Sequence, residues 1–382
     1  MTAVKKILFV TGSRSEYGYI RPILRLIEQD PNLDYCLVVS NMHLLASFGN
    51  TIEEIKKDGF RIDYAPQMTL AATTPASMMK SLYLFGLSIT DILEREQPDF
   101  ILLAGDRGEQ LITAITGNHL NLPVAHIQAG ELSGNVDGQT RHAIARYAHL
   151  HFAANEDAAI RLKKSGEQES RIFNVGAPQL DEFLDLSYQL ENIYKKYHLK
   201  KDQALILLLQ HSVTEEFNQA KQQMQKTLTA ISKFSYPTII IHPNCDAGSH
   251  SILEALNEYQ QPFFQIYPSI PRSDYLGLLS IASVLVGNSS SGIIEAPSMH
   301  LPVVNIGRRQ EGRMRAENVI DCPEFEESLI HQAVIKALSP EFKASLKNIS
   351  NPYGDGKSSQ RILTILKNTQ LNQNLLFKKI TY

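Results

Sequence analysis

The sequence predicts an α/β protein built from two doubly wound parallel sheets. Three observations predict this. Short, uniformly apolar runs recur along the whole chain, longer helical patterns alternate with them, and one polar stretch divides the runs into two groups. Runs without polar alternation suit parallel strands buried on both faces. Their alternation with helices implies right-handed βαβ units.

The first group of runs is Ile7–Val10, Tyr35–Val39, Phe100–Ala104, Val124–Ile127, Leu150–Ala154 and Ile172–Val175. The second is Ala204–Leu209, Thr238–Ile241, Phe263–Ile266, Val284–Val286 and Val303–Ile306. A single sheet holding all of them would be unusually large, so two sheets of five or six strands are expected. The dividing stretch, Ser187–Gln203, is polar and lysine-rich and reads as a helix plus linker. The expected domains are therefore residues 1–186 and 187–356. A helix is expected to start near Lys357, after the turn-rich string Asn351-Pro352-Tyr353-Gly354-Asp355-Gly356.

The bulk numbers narrow the partners. The chain has 382 residues, enough for two domains with full cores. A net charge of −3 gives no electrostatic case for nucleic acid or a membrane surface. No stretch approaches the ~20 apolar residues of a membrane span, and the first run is too short for a signal segment. Cys36, Cys245 and Cys322 lie far apart with no CxxC spacing. Neither a disulfide framework nor a zinc site is expected, and a reducing cytoplasm fits. The expected partner is a small molecule or another copy of the chain.

Polar clusters fall where strands should end. In the first half they are TGSRSEYG from Thr11, GDRGEQ from Gly105 and HIQAGELSGNVDG from His126. In the second half they are QHSVTEE from Gln210, HPNCDAGS from His242 and GNSSSGIIE from Gly287. Open parallel sheets bind ligands outside the carboxyl ends of their strands. One such cluster alone reads as a capped loop. Six at six strand ends point to a ligand.

GNSSSG, from Gly287 to Gly292, follows an apolar run and opens a helix, so its N–H groups and serine hydroxyls are expected to meet a phosphate at a helix start. Glu295, one turn on, suits ribose hydroxyls better than phosphate. Arg14, Arg107, Arg309 and Arg313 are candidate diphosphate clamps, because a guanidinium pairs bidentately with phosphate oxygens. The acid–base candidates are Asp106, Glu131, Asp137, His43, His126, His142 and His211. Asp106 follows a buried run and a glycine, a place for a side chain that enters a cleft. Glu131 and Asp137 share one glycine-rich loop, and paired carboxylates can divide acid and base work. The plainer readings are a turn Asp, a loop cap and a structural histidine. There is no HxxxH or HExxH spacing, so no metal is expected. The first turn lacks GxGxxG, and the P-loop-like end Gly356-Lys357-Ser358 has Asn351 where a glycine is required. Neither NAD nor ATP is expected.

These strings resemble the hydrolysing UDP-N-acetylglucosamine 2-epimerases, most closely the branch serving sialic and other nonulosonic acids. The similarity also covers HLLASFGNTIEEI, NVGAPQLD, RRQEGRMRAENV and NPYGDG and runs from residue 10 to about 356. The resemblance implies a GT-B arrangement, two Rossmann-like domains facing a central cleft, with the C-terminal helix, 357–382, crossing back to the first domain. It implies that Asp106 and Asp137 are catalytic carboxylates. A third acidic position of the family falls on Gln128, which cannot take a proton, so either Glu131 supplies it or two suffice. His43 matches an active-site histidine, and His211 matches one that contacts the diphosphate and has been considered for acid chemistry. Arg14, Asn244, Ser289, Ser290, Glu295 and Arg313 match UDP-binding positions. The resemblance implies a UDP-linked N-acetylhexosamine as ligand, no cofactor, and a homo-oligomer, dimer or tetramer. A GT-B glycosyltransferase and a non-catalytic UDP-sugar sensor are the alternatives.

Overall fold

The computed structural model describes residues 4–70, 74–183 and 190–382. Its strands are β1 (Lys5–Thr11), β2 (Leu33–Val39), β3 (Phe100–Ala104), β4 (Val124–Ile127), β5 (Leu150–Ala153), β6 (Ile172–Asn174), β7 (Ile206–Leu209), β8 (Thr238–Ile241), β9 (Phe264–Tyr267), β10 (Val284–Gly287), β11 (Val303–Ile306) and β12 (Val319–Cys322). They form two six-stranded sheets, ordered β2-β1-β3-β4-β5-β6 and β12-β11-β10-β7-β8-β9. Every pairing is parallel. Two Rossmann-like units thus face one cleft in the GT-B arrangement.

Each sheet is buried on both faces, which is why its runs lack polar alternation. Ile7 and Phe9 of β1 join one apolar cluster, whereas Leu8 and Val10 join the cluster on the opposite face. Ile206 and Leu208 of β7 separate from Leu207 and Leu209 in the same way. Each such side chain contributes about 1.5–3 kcal/mol on burial. β12 has no counterpart among the expected runs. It pairs on one side only, with β11, and its residues Val319–Asp321 stay partly exposed. Of the expected linker, residues 187–189 lie outside the described residues, and Leu190–Lys196 is helical.

Strand order explains where the polar clusters meet. In the first sheet the winding reverses between β1 and β3, so the loops from Thr11 and Gly105 lie side by side. In the second it reverses between β7 and β10, which brings the loops from Gln210 and Gly287 together. These are the topological switch points where open α/β sheets hold ligands.

The chain then returns. Helix Ser358–Asn368 lays Ile362, Leu363 and Leu366 into the first sheet's apolar cluster. Asp181 caps its start by accepting the N–H groups of Ser358 (3.0 Å) and Ser359 (2.6 Å). Lys5 Nζ caps its end, donating to the carbonyls of Leu366, Lys367 and Thr369 at 3.1, 2.7 and 3.0 Å. Among the described residues, no helix is long and apolar enough to cross a membrane.

Candidate active site

The cleft holds two adjoining compartments. The larger, about 890 Å³, is lined by Arg14, His43, His211, Asn244, Ser289, Ser290 and Glu295, together with Arg272 and Tyr275. The smaller, about 490 Å³, is lined by Asp106, Arg107, Asp137, Arg141, Arg309 and Arg313. Ser15, Tyr19, Asn244 and Ser290 line both, so one elongated ligand can pass from one to the other.

In the smaller compartment, Gly105 turns the chain with φ of +87°, a conformation open to glycine at no steric cost. His126 Nε2 donates to the Gly105 carbonyl at 2.6 Å and fixes that turn. Asp106 follows and is ion-paired with Arg141, while Arg313 Nη2 stands 3.9 Å away. Burial alone would raise the Asp106 carboxyl, but Arg141, then Arg313, Arg309 and Arg107, hold it below its ordinary value. Asp137 sits in the first turn of helix Val136–Tyr147, near Arg309 at 3.9 Å and accepting from Asn135 Nδ2 at 2.8 Å. Burial, then the charges of Asp106 and Asp246, push it up to about 6. Two carboxyls at one site thus have well-separated acidities, as acid–base chemistry requires.

The larger compartment carries hydrogen-bond donors of fixed protonation state on its wall. His211 Nδ1 accepts the Asn244 N–H at 3.1 Å, so the ring carries its proton on Nε2. Burial, then the guanidinium groups of Arg309, Arg14 and Arg107, drive its pKa well below the ordinary value. His211 is therefore a neutral N–H donor. Asn288 holds it in place, accepting its backbone N–H at 2.7 Å and donating to its carbonyl at 2.9 Å across the β7/β10 switch point. His43 is also neutral, held between Thr11 Oγ1 (2.9 Å) and Thr51 Oγ1 (2.7 Å), with burial lowering its pKa to about 3.

Several expectations change. The serine string opens a helix of one turn, Ser291–Ile294, too short for a substantial macrodipole. What that string gives the compartment is its lining by Ser289, Ser290 and Ser291. Glu295 lines the compartment but is ion-paired with Arg272 Nη2 at 2.5 Å, which leaves one oxygen to accept from a ligand. Glu131 lines neither compartment. Its carboxylate accepts from Asn155 Nδ2 (2.6 Å) and Tyr353 Oη (3.0 Å) behind the site. Gln128 also lies outside both. Its backbone is left-handed, φ of +61°, and presents its carbonyl to Arg141 Nη1 at 2.7 Å. His142 lines neither compartment. Arg313 and Arg107 line the smaller compartment alone. Arg107 is engaged across the cleft by Asp246 at 3.0 Å. Arg14 donates across the cleft to the carbonyls of Pro268 (3.0 Å) and His242 (2.9 Å).

Sequence reasoning missed Arg141, Arg272 and Tyr275. Arg141 looks like an ordinary helix-surface charge, yet it is buried. The one available signal was its place one turn after Asp137.

The lobes touch closely. Gly134 N–H donates to the Arg309 carbonyl at 3.0 Å, and a Cβ on Gly134 would lie 1.8 Å from the Arg308 carbonyl oxygen. The loop carrying Asp137 thereby clasps the loop carrying Arg309 and Arg313.

The sequence profile of the UDP-N-acetylglucosamine 2-epimerase family matches residues 25–367. The chain belongs to that family. It is therefore an enzyme of the sugar-nucleotide 2-epimerase type. It is 39% identical over 381 residues to the UDP-N,N′-diacetylbacillosamine 2-epimerase (hydrolyzing) of Legionella pneumophila, covering 99% of this chain and 100% of that protein. It is 34% identical to the UDP-N-acetylglucosamine 2-epimerase of Neisseria meningitidis, over 88% of each chain. Among solved structures, UDP-GlcNAc 2-epimerase from Neisseria meningitidis bound to UDP-GlcNAc superposes with a TM-score of 0.79. That match has 20% identity and covers 95% of this chain and 100% of that one. The Methanocaldococcus jannaschii enzyme in complex with UDP-GlcNAc and UDP gives the same TM-score, identity and coverage. These likenesses establish the fold of this family member.

Proposed function

We propose that the protein is a hydrolysing 2-epimerase that converts a UDP-linked 2-acetamido sugar and water to UDP and the free 2-epimeric sugar of the N-acetylmannosamine type. Its product would feed sialic or other nonulosonic acids for surface polysaccharide. The observation that carries this reading is that Asp106 and Asp137 line one compartment, which adjoins, through Asn244 and Ser290, the one lined by Arg14, His211 and Ser289.

The chemistry needs that arrangement. The C2–H of a hexosamine is not acidic, because no carbonyl adjoins it. It becomes acidic once the C1–O bond to UDP breaks far ahead and C1 gains positive charge. Loss of UDP and the C2 proton then gives a 2-acetamidoglucal. Water adds at C1, and a proton returns to the opposite face of C2. A single base would return the proton to the face it came from, so inversion calls for two groups. Asp106, ionised beside Arg141, and Asp137, poised near 6, supply them. Arg14, the neutral His211 N–H and the two serines stabilise the departing diphosphate, and each such donor is typically worth ~3–4 kcal/mol. The net reaction is neither oxidation nor reduction, and the proposal invokes no cofactor and no metal.

The relative from Legionella supports UDP-N,N′-diacetylbacillosamine as the sugar nucleotide, and the one from Neisseria makes UDP-N-acetylglucosamine the second reading. In this reading residues 1–186 carry the sugar side, 187–356 carry the nucleotide side, and 357–382 return to the first unit. We propose a cytoplasmic homo-oligomer. The exposed stripe Met79, Tyr83, Leu84 and Leu87 on helix Pro75–Glu96 supports a second copy as partner.

The test is a product analysis by mass spectrometry with each UDP-sugar in turn and no acceptor present. UDP plus the free 2-epimer is the expected outcome. UDP release only on adding an acceptor would favour a glycosyltransferase, and tight binding without turnover would favour a sensor.

A further inference from the structure

The segment Asn351–Gly356 crosses between the lobes and is tied to both. Asn351 Nδ2 donates to the Ile294 carbonyl at 2.8 Å in the second lobe, and Ala177 N–H in the first donates to the Tyr353 carbonyl at 2.7 Å. The Tyr353 ring is fully buried with Ala154, Ala177 and Leu180 from one lobe and Ile293 and Ile294 from the other. A phenylalanine would satisfy all of that packing. The hydroxyl needs a further reason, because burying one costs free energy unless it is bonded.

Its single proton is shared between the Met314 carbonyl of the second lobe (2.8 Å) and Glu131 Oε2 of the first (3.0 Å). Glu131, 1% exposed, faces Arg313 Nε at 3.8 Å. Arg313 is fixed further by the Leu132 carbonyl (2.7 Å) and Ser133 Oγ (3.3 Å). Its remaining nitrogen, Nη1, is buried and has no partner among the described residues, while the side chain lines the sugar-side compartment. Buried donors are almost always satisfied. A guanidinium nitrogen left over on a residue that lines the compartment is available to a ligand oxygen.

We propose that Tyr353 and Glu131 are a positioning pair that aims Arg313 at the phosphate-linked end of the sugar, which makes the crossing segment a working part of the site. The proposal rests on the function proposed above. Glu131 holds the guanidinium through opposite charge, and Tyr353 holds Glu131. Because the hydroxyl also reaches Met314, the pair is complete only when the lobes are together.

The experiment is a double-mutant cycle on kcat/KM for UDP release, using the full chain with Tyr353→Phe and Arg313→Ala. We expect about a tenfold loss for Tyr353→Phe and a larger one for Arg313→Ala. The double variant should be no slower than Arg313→Ala alone, and the Kd for UDP should stay within threefold of wild type in Tyr353→Phe. Glu131→Gln, which keeps the volume and removes the charge, should reproduce the Tyr353→Phe loss and serves where that variant folds poorly. Losses that multiply in the double variant would mean a merely structural role and would overturn the proposal, as would wild-type kinetics in Tyr353→Phe. If the wild type releases no UDP from either sugar, the proposed function fails by itself. The same cycle is then read on the Kd for the intact UDP-sugar, with the same non-additivity expected.

Discussion

Arg141 pairs with Asp106 from the same helix face that carries Asp137 one turn earlier. One element therefore sets both acidities: its second turn delivers the cation that keeps Asp106 ionised, and its first turn holds the carboxyl that stays hard to ionise. Asp137 and the cation that pairs with Asp106 are thus four residues apart on one helix.

Asp106→Asn and Asp137→Asn should each abolish UDP release, with turnover down at least a hundredfold, on the order of the effect of removing an acid–base group. The Kd for UDP should change less than threefold, because neither residue lines the larger compartment. Steady-state kinetics beside calorimetry checks both. Wild-type-like turnover in both variants would remove the catalytic assignment.

The pH dependence follows from Asp137. Its pKa is about 6 in the fold against an ordinary 3.8. Acting as an ionised base, it should make kcat/KM fall on the acid side with a midpoint near 6, and the residual turnover of Asp137→Asn should lack that limb. Stability has the opposite sign. The folded state binds this proton more tightly than the unfolded chain, so its contribution is complete below about pH 4. It is lost as pH rises through about 6. At pH 7 Asp137→Asn should therefore be more stable, by up to about 3 kcal/mol. Urea denaturation at pH 4 and pH 7 reads the difference.

Arg141→Met should destabilise the protein, by up to about 3 kcal/mol, since it removes the nearest of the cations around the half-buried Asp106 carboxylate. Adding Asp106→Asn to that variant should restore most of the loss. Equal stability of the single and double variants in chemical denaturation would argue against the pair.

Gly134→Ala tests the clasp between the lobes. Its new Cβ would stand 1.8 Å from the Arg308 carbonyl oxygen, closer than atoms can approach. The lobes should fail to close. Small-angle scattering should give a larger radius of gyration with UDP bound, and UDP release should fall at least tenfold while UDP still binds.

Much of this was legible in the chain itself. Both sheets, and the strand ends that hold Asp106, His211 and Ser289, follow from apolar runs that stop at polar strings. β12 was not legible, because an edge strand with three partly exposed residues carries little apolar signal. Within the site, residue type and strand-end position picked out Asp106, Asp137 and His211, and the family resemblance added Asn244. Direction was invisible. Glu131 and Asp137 share one loop, but the chain turns Asp137 into the compartment and Glu131 towards Tyr353, more than 200 residues further on. Arg141 and Arg272 were hidden for a related reason. Only the fold reveals that a helical arginine faces inward, because its partner, Asp106 or Glu295, comes from a distant element.

The return of helix Ser358–Asn368 to the first sheet has a mechanical consequence. β1 and that helix share one apolar cluster, so the chain comes back to the first body through Asn351–Gly356. Asn351–Gly356 is bonded to both bodies, at Ile294 and at Ala177, so it acts as a strap that resists any sliding of one face past the other.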